Sequence, residues 1–198
     1  MKKLRLLSFL SALLLMPLAH AMVSPVAIDI IPPVQFPPAD FSVTGLRASA
    51  LWGDQRNMYG LDFGLLGNIT QQDFVGVGVS GIFNLTHGTT TAVGLQFAGV
   101  ANVNTSKTSV YGLQAALLSN YNTAESKVVG LQFSLANISQ FTDIYGVQAG
   151  IYNRAKDVYG VQFGLVNVAE NLHGLQIGLV NFNHKGPFAV SPILNVGF

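Results

Sequence analysis

A nine-residue phrase recurs along the chain and constrains the fold more than any other feature. Its clearest copies are residues 129–137 (VGLQFSLAN), 159–167 (YGVQFGLVN) and 173–181 (HGLQIGLVN). The repeat length is 14 to 18 residues, which is too regular to be chance, and such a period must be explained before any other reading of the sequence. The glycines that mark position zero of each copy are Gly45, Gly60, Gly76, Gly94, Gly112, Gly130, Gly146, Gly160 and Gly174.

Within each copy, large apolar residues alternate with small or polar ones. Tyr159, Val161 and Phe163 alternate with Gly160 and Gln162. A period of two is the signature of a β-strand with one apolar face. The stretches between copies are rich in Asn, Thr, Ser and charged residues and are typical of turns. The sequence therefore predicts an all-β repeat protein.

Two architectures could use this unit, and the reach of the chain discriminates between them. A straight strand of about nine residues spans roughly 30 Å at about 3.3 Å per residue. The remaining residues of the shortest repeats reach at most roughly 18 Å, which suffices for a hairpin but does not return the chain to the start of a parallel neighbour. The predicted fold is an antiparallel meander of about ten strands. A β-solenoid is the alternative, and it requires the strand to bend at its glycines into two short sides.

The chain divides into three parts. Residues 1–21 have a basic start, an apolar run and a small-x-small site, and are interpreted as a secretory signal peptide. Residues 22–40 carry five prolines and are expected to form a Pro-rich leader, or alternatively a segment that plugs or crosses the folded body. Residues 41–198 form the β-repeat domain. The chain has no cysteine, so disulfides and lipid-modified cysteines are excluded.

The distribution of charge suggests which way the apolar face points. No Lys, Arg, Asp or Glu occupies position plus one, three or five in any copy, whereas a soluble sheet normally carries charges on its solvated face. Ten strands of this length suit a closed membrane β-barrel with a Gly- and Gln-lined interior. Tyrosines at strand starts, and Tyr121, Tyr152 and Phe182 near strand ends, would form two aromatic belts. The alternative is that these aromatics belong to the core of a soluble sheet.

Two resemblances bear on location. The chain ends in alternating apolar residues before Phe198, which resembles the terminal strand of Gram-negative outer-membrane β-barrel proteins; this implies that Phe198 is a membrane assembly signal read by the barrel-assembly machinery. The repeats over residues 45–183 resemble bacterial surface-repeat proteins written GLQ-x-GLVN. That resemblance implies a place at the cell surface rather than a mechanism. Arg47, Asp62 and Gly78 depart from it, because they stand where later copies carry Gln.

The sequence suggests three sets of candidate site residues, two from the repeat and one from the C-terminus. Arg47 and Asp62 hold position plus two in the first two copies, so they are predicted to form a cross-strand ion pair that fixes register. The C-terminal candidate is Phe198, as the assembly signal. The plus-two glutamines of the later copies are predicted to line the lumen of a barrel or to form an amide row in a solenoid; they are Gln96, Gln114, Gln132, Gln148, Gln162 and Gln176.

The same residues argue against catalysis. His87, His173 and His184 show no metal-ligand spacing, and no catalytic triad can be assembled from spacing alone. We therefore expect no enzyme activity, no metal and no cofactor. Removing Lys2, Lys3 and Arg5 leaves seven Lys and Arg against nine Asp and Glu, a net charge of −2, which disfavours nucleic acid as a partner.

The predicted function is that of an exported outer-membrane β-barrel with a structural or narrow-pore role. Its expected partners are outer-membrane lipid and the barrel-assembly machinery, and its expected location is the outer membrane or cell surface. The alternative function is a soluble or surface-attached β-repeat binding module that uses the Gly and Gln face as its contact surface.

Overall fold

The computed structural model describes residues 22–88 and 90–198. It shows a β-solenoid of about ten turns, in which each repeat forms one coil. The predicted signal peptide, residues 1–21, lies outside the described residues.

The coils are built from strands of two lengths. Long strands alternate with short strands along most of the chain, and near the C-terminal end the two merge into continuous strands. The strands are β1 (Val23–Ile31), β2 (Val34–Phe36), β3 (Ser42–Ser49), β4 (Trp52–Gln55), β5 (Asn57–Gly64), β6 (Gly67–Thr70), β7 (Phe74–Ser80), β8 (Phe83–Thr86), β9 (Thr90–Ala98), β10 (Ala101–Asn104), β11 (Thr108–Ala116), β12 (Ser119–Asn122), β13 (Ser126–Phe133), β14 (Ala136–Ser139), β15 (Thr142–Ala149), β16 (Tyr152–Phe163), β17 (Val166–Asn183) and β18 (Val190–Gly197).

Each coil has a long side, a tight corner, a short side and a polar turn. In one coil, β13 forms the long side, Ser134 and Leu135 form the corner, and β14 forms the short side. Gln140 and Phe141 then lead into β15, which starts the next coil. Long sides stack on long sides and short sides on short sides, and both stacks are parallel.

Equivalent residues of successive coils lie directly beside one another. Gly130 pairs with Gly112 on one side and with Gly146 on the other, and the column of position-zero glycines runs unbroken from Gly45 to Gly174. The parallel, in-register stack explains why the repeat is so regular, because each residue pairs with the equivalent residue of the next coil.

The predicted antiparallel meander, closed as a barrel, is wrong. The repeat strands run parallel to their neighbours, whereas a meander reverses direction at every strand. The estimate of how far the connecting residues can reach gave the wrong fold, because the nine-residue phrase is not one straight strand. It breaks at Gly164 and Leu165, since β16 ends at Phe163 and β17 begins at Val166. The bend lies four to five residues after the position-zero glycine, which itself sits within the long side.

The interior is thin and mixed. The residues two places before each position-zero glycine point inward and are buried, as Val128 and Ile144 show with exposed fractions of 1% and 0%. They lie in the half of the interior nearer the polar turns, while amide side chains fill the half nearer the corner. The apolar cluster comprises Ala27, Val43, Met58, Phe74, Ala92, Val110, Val128, Ile144, Ala155, Val158, Ala169 and Leu172.

The two ends of the solenoid are covered differently. Residues 22–40, expected as a Pro-rich leader, contain β1, which pairs parallel with β3, and β2, which folds back antiparallel on β1. At the other end, β18 pairs antiparallel with β17. Phe198 follows β18 and is 99% exposed.

We expect Gly146→Ala to destabilise the solenoid strongly. Gly146 has a φ of 143°, and a Cβ there would overlap the backbone oxygen of Gly130. A non-glycine residue at such a φ costs on the order of 1–3 kcal/mol, to which the overlap adds. Urea or thermal unfolding followed by circular dichroism measures the change in the free energy of unfolding.

The matched control is Gly78→Ala. Gly78 lies on the same face, but its φ is not in the left-handed region, and the nearest atoms to its added Cβ would be side-chain atoms, the Phe74 ring at 3.1 Å and Asn84 Oδ1 at 3.8 Å. This variant should lose much less stability than Gly146→Ala. Equal losses would show that neither the positive φ nor the close backbone approach in the glycine column adds to the cost.

Candidate functional site

The short sides contribute a continuous ladder of buried asparagines. The Nδ2 of each asparagine donates to the Oδ1 of its counterpart in the following coil at 2.8–3.0 Å. The same Nδ2 also donates to a backbone oxygen of the long side, as Asn153 does to Phe163 at 2.9 Å. The ladder therefore joins the two sides of the solenoid near the corner. Its members are Asn68, Asn84, Asn102, Asn120, Asn137, Asn153, Asn167 and Asn181.

The six predicted glutamines form a second ladder on the long side. The Nε2 of each donates to the Oε1 of the glutamine in the preceding coil at 2.7–2.9 Å. The two ladders thus run in opposite directions, and each has one acceptor left over, Asn68 Oδ1 near the first coils and Gln176 Oε1 near the last. The glutamines are buried and line no barrel lumen. They form the amide row expected of a solenoid.

Because the amides point inward, the large apolar residues of the long side point outward. At positions plus one and plus three the side chains are half-buried or exposed, with Phe163 at 57% and Leu61 at 48%. They form two parallel rows along the outside of the long sides. The plus-one row is Leu46, Leu61, Val77, Leu95, Leu113, Leu131, Val147, Val161 and Leu175, and the plus-three row is Ala48, Phe63, Val79, Phe97, Ala115, Phe133, Ala149, Phe163 and Ile177.

The corners add the most exposed apolar row, which we call the corner row. Leu65 and Leu117 are 69% and 70% exposed. The backbone of this row is hydrogen-bonded from coil to coil, as Ile151 N donates to Leu135 O and Leu165 N to Ile151 O, both at 2.9 Å. The corner therefore presents apolar side chains with paired amides behind them. The corner row comprises Leu65, Leu66, Ile82, Val100, Leu117, Leu118, Leu135, Ile151, Leu165 and Leu179.

The outside of the short sides is also mainly apolar. Ile69, Leu85, Val103, Ile138 and Val168 are half-buried and point away from the asparagine ladder. The long sides and the corner thus expose apolar side chains, and the short sides expose mainly apolar ones with Asp54 and Arg154 among them. In the half of the coil nearer the corner, polar groups occupy the interior, which reverses the usual distribution in soluble proteins.

Charged residues collect at the edge opposite the corner, which we call the charged edge. Asp29, Arg47 and Asp62 are buried, and Asp54 and Arg154 lie on the outside of the short sides, in register with Ile69 and with Ile138 and Val168. The other charged residues of the described part lie in the polar turns or at the starts of long strands. They are Asp40, Arg56, Asp73, Lys107, Glu125, Lys127, Asp143, Lys156, Asp157, Glu170 and Lys185.

An aromatic column separates the charged edge from the apolar rows on the long side. The rings of Tyr145 and Tyr159 stack at 4.6 Å with an interplanar angle of 6°, and Tyr159 stacks on His173 with the same geometry. Lys127 Nζ lies 4.5 Å from the centre of the Tyr145 ring. These rings occupy the position directly before the glycine column, so they mark the boundary between the charged and apolar zones.

The structure brings Arg47 and Asp62 together. Arg47 Nε and one terminal nitrogen donate to the two carboxylate oxygens of Asp62 at 2.7 and 2.6 Å, and both side chains are buried. Burial lowers the pKa of Arg47, but the carboxylates of Asp62, Asp29 and Asp54 together outweigh burial and the pKa is raised. Burial also raises the pKa of nearby Asp29, against the opposing effect of Arg47. The pair sits in the coils that precede the glutamine ladder.

Other kinds of site find no support in the described part of the chain. Residues 22–88 and 90–198 hold no group of three or more His, Cys, Asp or Glu side chains arranged for a metal ion. In the same residues, no helix has the length and hydrophobicity needed to cross a membrane.

Comparison of the chain with models of protein families, with curated proteins and with solved structures finds no match. The function is therefore argued from the geometry of the solenoid. Its dominant surface feature is the apolar corner with its two apolar sides, opposite the charged edge.

The sequence reasoning placed the glutamines inside and the apolar residues outside, but it missed the corner row as a separate edge. The signal was present, because position plus five or plus six is Leu, Ile or Val in nearly every copy while charges gather between copies. If the strand is assumed to be straight through position plus five, the separation of these apolar residues from the charged ones is not apparent. The bend places the two groups at opposite edges of the coil.

We expect reversal of either member of the buried pair to destabilise the protein. Arg47→Asp or Asp62→Arg leaves like charges buried side by side, and breaking a buried pair costs roughly 3–5 kcal/mol. The double swap should regain a large part of this loss in the measured free energy of unfolding. Simple addition of the two single effects would mean that the pair contributes no coupling.

The exposed pair of Lys185 and Glu170 provides the control. Their charged atoms lie 3.9 Å apart and the side chains are 64% and 46% exposed. Surface pairs of this kind contribute about 0–1 kcal/mol, so the same reversals should change stability very little.

We also expect Asn137→Leu to weaken the asparagine ladder. Asn137 Oδ1 accepts from Asn120 at 2.9 Å, and its Nδ2 donates to Asn153 at 2.8 Å and to the Ala149 oxygen at 3.0 Å. Leucine removes the Asn137 donor from Asn153 Oδ1 and the Ala149 oxygen, while Asn120 Nδ2 keeps the Phe133 oxygen at 3.1 Å. Each buried group left unpaired costs roughly 1–3 kcal/mol. Chemical denaturation measures the loss of unfolding free energy. The control variant Gln72→Leu, at an exposed turn residue, should lose less than a few tenths of a kcal/mol. Equal stability of both variants would contradict a structural role for the ladder.

Proposed function

We propose that this protein is an exported, non-catalytic repeat module that attaches to a lipid bilayer, with its corner row inserted in one leaflet and its charged edge at the surface. The observation that carries the proposal is the separation of the corner row from the charged edge across the whole length of the solenoid. It keeps the surface-attached β-repeat module considered from the sequence but changes its contact surface, because the glutamines of the Gly and Gln face are buried and the apolar residues are outside.

The extent of the apolar surface supports the proposal. About ten coils at about 4.8 Å each give a length of about 45 Å, and the apolar rows of the long sides are roughly 15–20 Å tall, so this side exposes on the order of 700 Å². Monomeric soluble proteins rarely expose patches larger than a few hundred Å². This side, continued by an apolar corner, calls for an apolar environment.

The dimensions of one coil suit a single leaflet. From the aromatic column at Tyr159 to the corner at Leu165 the chain advances six residues, or roughly 20 Å at about 3.3 Å per residue. Half of the hydrocarbon core of a bilayer is about 15 Å thick, with the headgroup region beyond it. Tyr145 and Tyr159 would then lie at headgroup level, where amphipathic rings are favoured.

The backbone meets the demands of such an environment. In hydrocarbon, each unpaired backbone N–H or C=O costs several kcal/mol. Within the stack of coils, the strands and the corners are both paired from coil to coil, and the inward amides are paired in their ladders. The apolar rows therefore enter lipid with their hydrogen bonds already made.

A protein partner accounts for less of the surface. A second copy packed on the long sides would cover on the order of 700 Å² per partner, close to the roughly 800 Å² per partner of a standard interface. It would leave the corner row, with Leu117 at 70% exposure, and the outside of the short sides uncovered. Lipid covers all three surfaces at once, which favours the bilayer.

The expected location follows from the sequence. The signal-peptide interpretation of residues 1–21 and the resemblance to surface-repeat proteins support export to the outer membrane or cell surface. Lipid is the proposed partner. The assembly role of Phe198 stays a prediction, and the fold removes its original reason, because β18 caps a solenoid rather than closing a barrel.

The single tryptophan, Trp52, reports insertion. Trp52 lies beside the corner on the short side, in register with Gly67 of the next coil. The chain beginning at Met22 is mixed in detergent with neutral phosphatidylcholine and the detergent is removed. We expect the protein to float with the vesicles, and Trp52 fluorescence to be quenched more by bromine deep in the acyl chains than by bromine near the headgroups.

The control moves the probe to the charged edge. In Trp52→Phe combined with Lys107→Trp, the fluorescence should respond little to deep bromine. If the parent protein stays in the aqueous fraction as a monodisperse species, or if both probes are quenched alike by shallow bromine, edge-on insertion is wrong.

A further inference from the structure

Residues 22–40 dock on the first coil around a buried carboxyl group. β1 lies parallel to β3, and Asp29, near the end of β1, pairs in register with Ser49. The Asp29 residue is 1% exposed. Its side chain occupies the space beside Gly53, because a Cβ at Gly53 would overlap Asp29 Oδ2. The first coil therefore encloses this carboxyl group.

The enclosed carboxyl group has too few hydrogen-bond donors for an ionised state. Asp29 Oδ2 accepts from Ser49 Oγ at 3.2 Å, whereas Asp29 Oδ1 is buried and has no hydrogen-bond partner within residues 22–88 and 90–198. An ionised carboxylate accepts at about four sites, and a buried charge costs several kcal/mol unless partners compensate it. Burial accordingly raises the pKa of Asp29, which favours the neutral acid.

The nearby arginine does not supply the missing donor. Arg47, on β3, donates to both oxygens of Asp62 and, on the short side, to the Ile69 oxygen. Arg47 thus lowers the pKa of Asp29 only through space, and burial outweighs this effect. Asp62, on β5, raises the pKa of Asp29. Asp54, on β4, lies on the outside of the short side, and β2 has no titratable side chain.

An amide connects this carboxyl group to the proline-rich part of the segment. Gln55, at the end of β4, is fully buried. Its Nε2 donates to the Pro37 oxygen at 3.1 Å, and the amide lies within hydrogen-bonding reach of the Asp29 carboxyl group. Gln55 Oε1 has no partner in the described part of the chain. An amide has donors at one end and an acceptor at the other, so in either orientation it faces one acceptor with its own oxygen unless Asp29 carries a proton.

We propose that Asp29 is held as the neutral acid and donates its proton to Gln55 Oε1, which makes residues 22–40 a proton-dependent latch on the first coil. The hydrogen bonds then run from the Asp29 hydroxyl to Gln55 Oε1 and from Gln55 Nε2 to the Pro37 oxygen. The two outer residues belong to the latch and Gln55 belongs to the solenoid, so one proton completes the attachment at both points. The latch does not depend on bilayer attachment, because its polar groups lie inside the first coil.

Loss of this proton should loosen the latch. The pKa of Asp29 is raised in the docked state, so the proton stabilises docking fully below the unfolded pKa, and this stabilisation is lost as the pH rises through the docked pKa. Because one proton is involved, the opening constant rises by at most about tenfold per pH unit in this window. Opening exposes the edge of β3 that β1 covers, and a free edge can pair with another strand.

Carbon NMR tests the protonation state of Asp29 directly. The chain beginning at Met22 is isotope-labelled at its aspartate carboxyl carbons and kept in detergent, and Asp29→Asn assigns the Asp29 signal by its absence. We expect this signal to titrate at a higher pH than the aspartates of the same protein unfolded in urea. Titration at the pH of the unfolded aspartates would show an ionised carboxylate and would overturn the proposal.

Hydrogen exchange measures the opening of the latch. The backbone amides of β1 are followed from mildly acidic to neutral pH, with intrinsic exchange rates taken from the unfolded chain. We expect the opening constant of β1 to rise with pH by up to about tenfold per unit, while that of β13, in the middle of the solenoid, changes little. In Asp29→Asn the new amide donates to Gln55 Oε1 without ionising, so the opening of β1 should not depend on pH.

Asp54→Asn is the matched control. Asp54 is next to Gln55 in β4, and burial raises its pKa as well, but it lies on the outside of the short side. This variant should keep the pH dependence of β1. If Asp54→Asn abolishes that dependence, or if Asp29→Asn retains it, the proton is not on Asp29 and the latch is wrong. A parent protein whose β1 opens equally at every pH also overturns the latch, and this measurement needs no variant.

Discussion

The hydrogen-bonded amide ladders are the interaction on which the rest of the structure depends. A buried amide without partners costs several kcal/mol in an apolar medium, and here each asparagine and glutamine meets that demand through its counterpart one coil away. This works only if the coils are parallel, in register and one strand spacing apart. The ladders therefore fix the stacking of the coils, and the asparagine ladder also holds the long and short sides together at the corner.

The exposed apolar surface is a consequence of this interior. A strand has two faces, and once glutamine and small residues occupy the inner face, the large apolar residues must occupy the outer one. The space inside is narrow near the corner, because Gly164 and its counterparts lie against the neighbouring backbone and the Asn153 amide. Leucine and phenylalanine do not fit there. The chain is thus polar inside and apolar outside over the half that ends in the corner, which suits lipid better than water.

In the first coils, a buried ion pair takes the place of the amide ladders. Arg47 donates to both oxygens of Asp62 and to the Ile69 oxygen at 2.8 Å, so the guanidinium joins the two sides as the asparagines do later. A column of identical amides permits slippage by a whole coil, whereas a single arginine beside a single aspartate does not. This ion pair gives the otherwise uniform stack a unique starting register.

The sequence by itself determined that the protein is an all-β repeat, that the glutamines share one face with the glycines, that Arg47 and Asp62 occupy equivalent positions in adjacent copies, and that charges avoid the large apolar positions. All of these follow from period-two alternation within a repeat. The tertiary structure decided whether neighbouring strands run parallel or antiparallel. The sequence could not decide this, because a straight nine-residue strand and one that bends at Gly164 and Leu165 have the same alternation of apolar and polar residues. That bend makes the strands parallel, converts an expected lumen into a packed amide ladder, and places the apolar corner opposite the charged edge. The sequence carries the residues of both edges, as apolar residues at plus five or six and charges between copies, but each edge forms only when residues from every coil are stacked in one column.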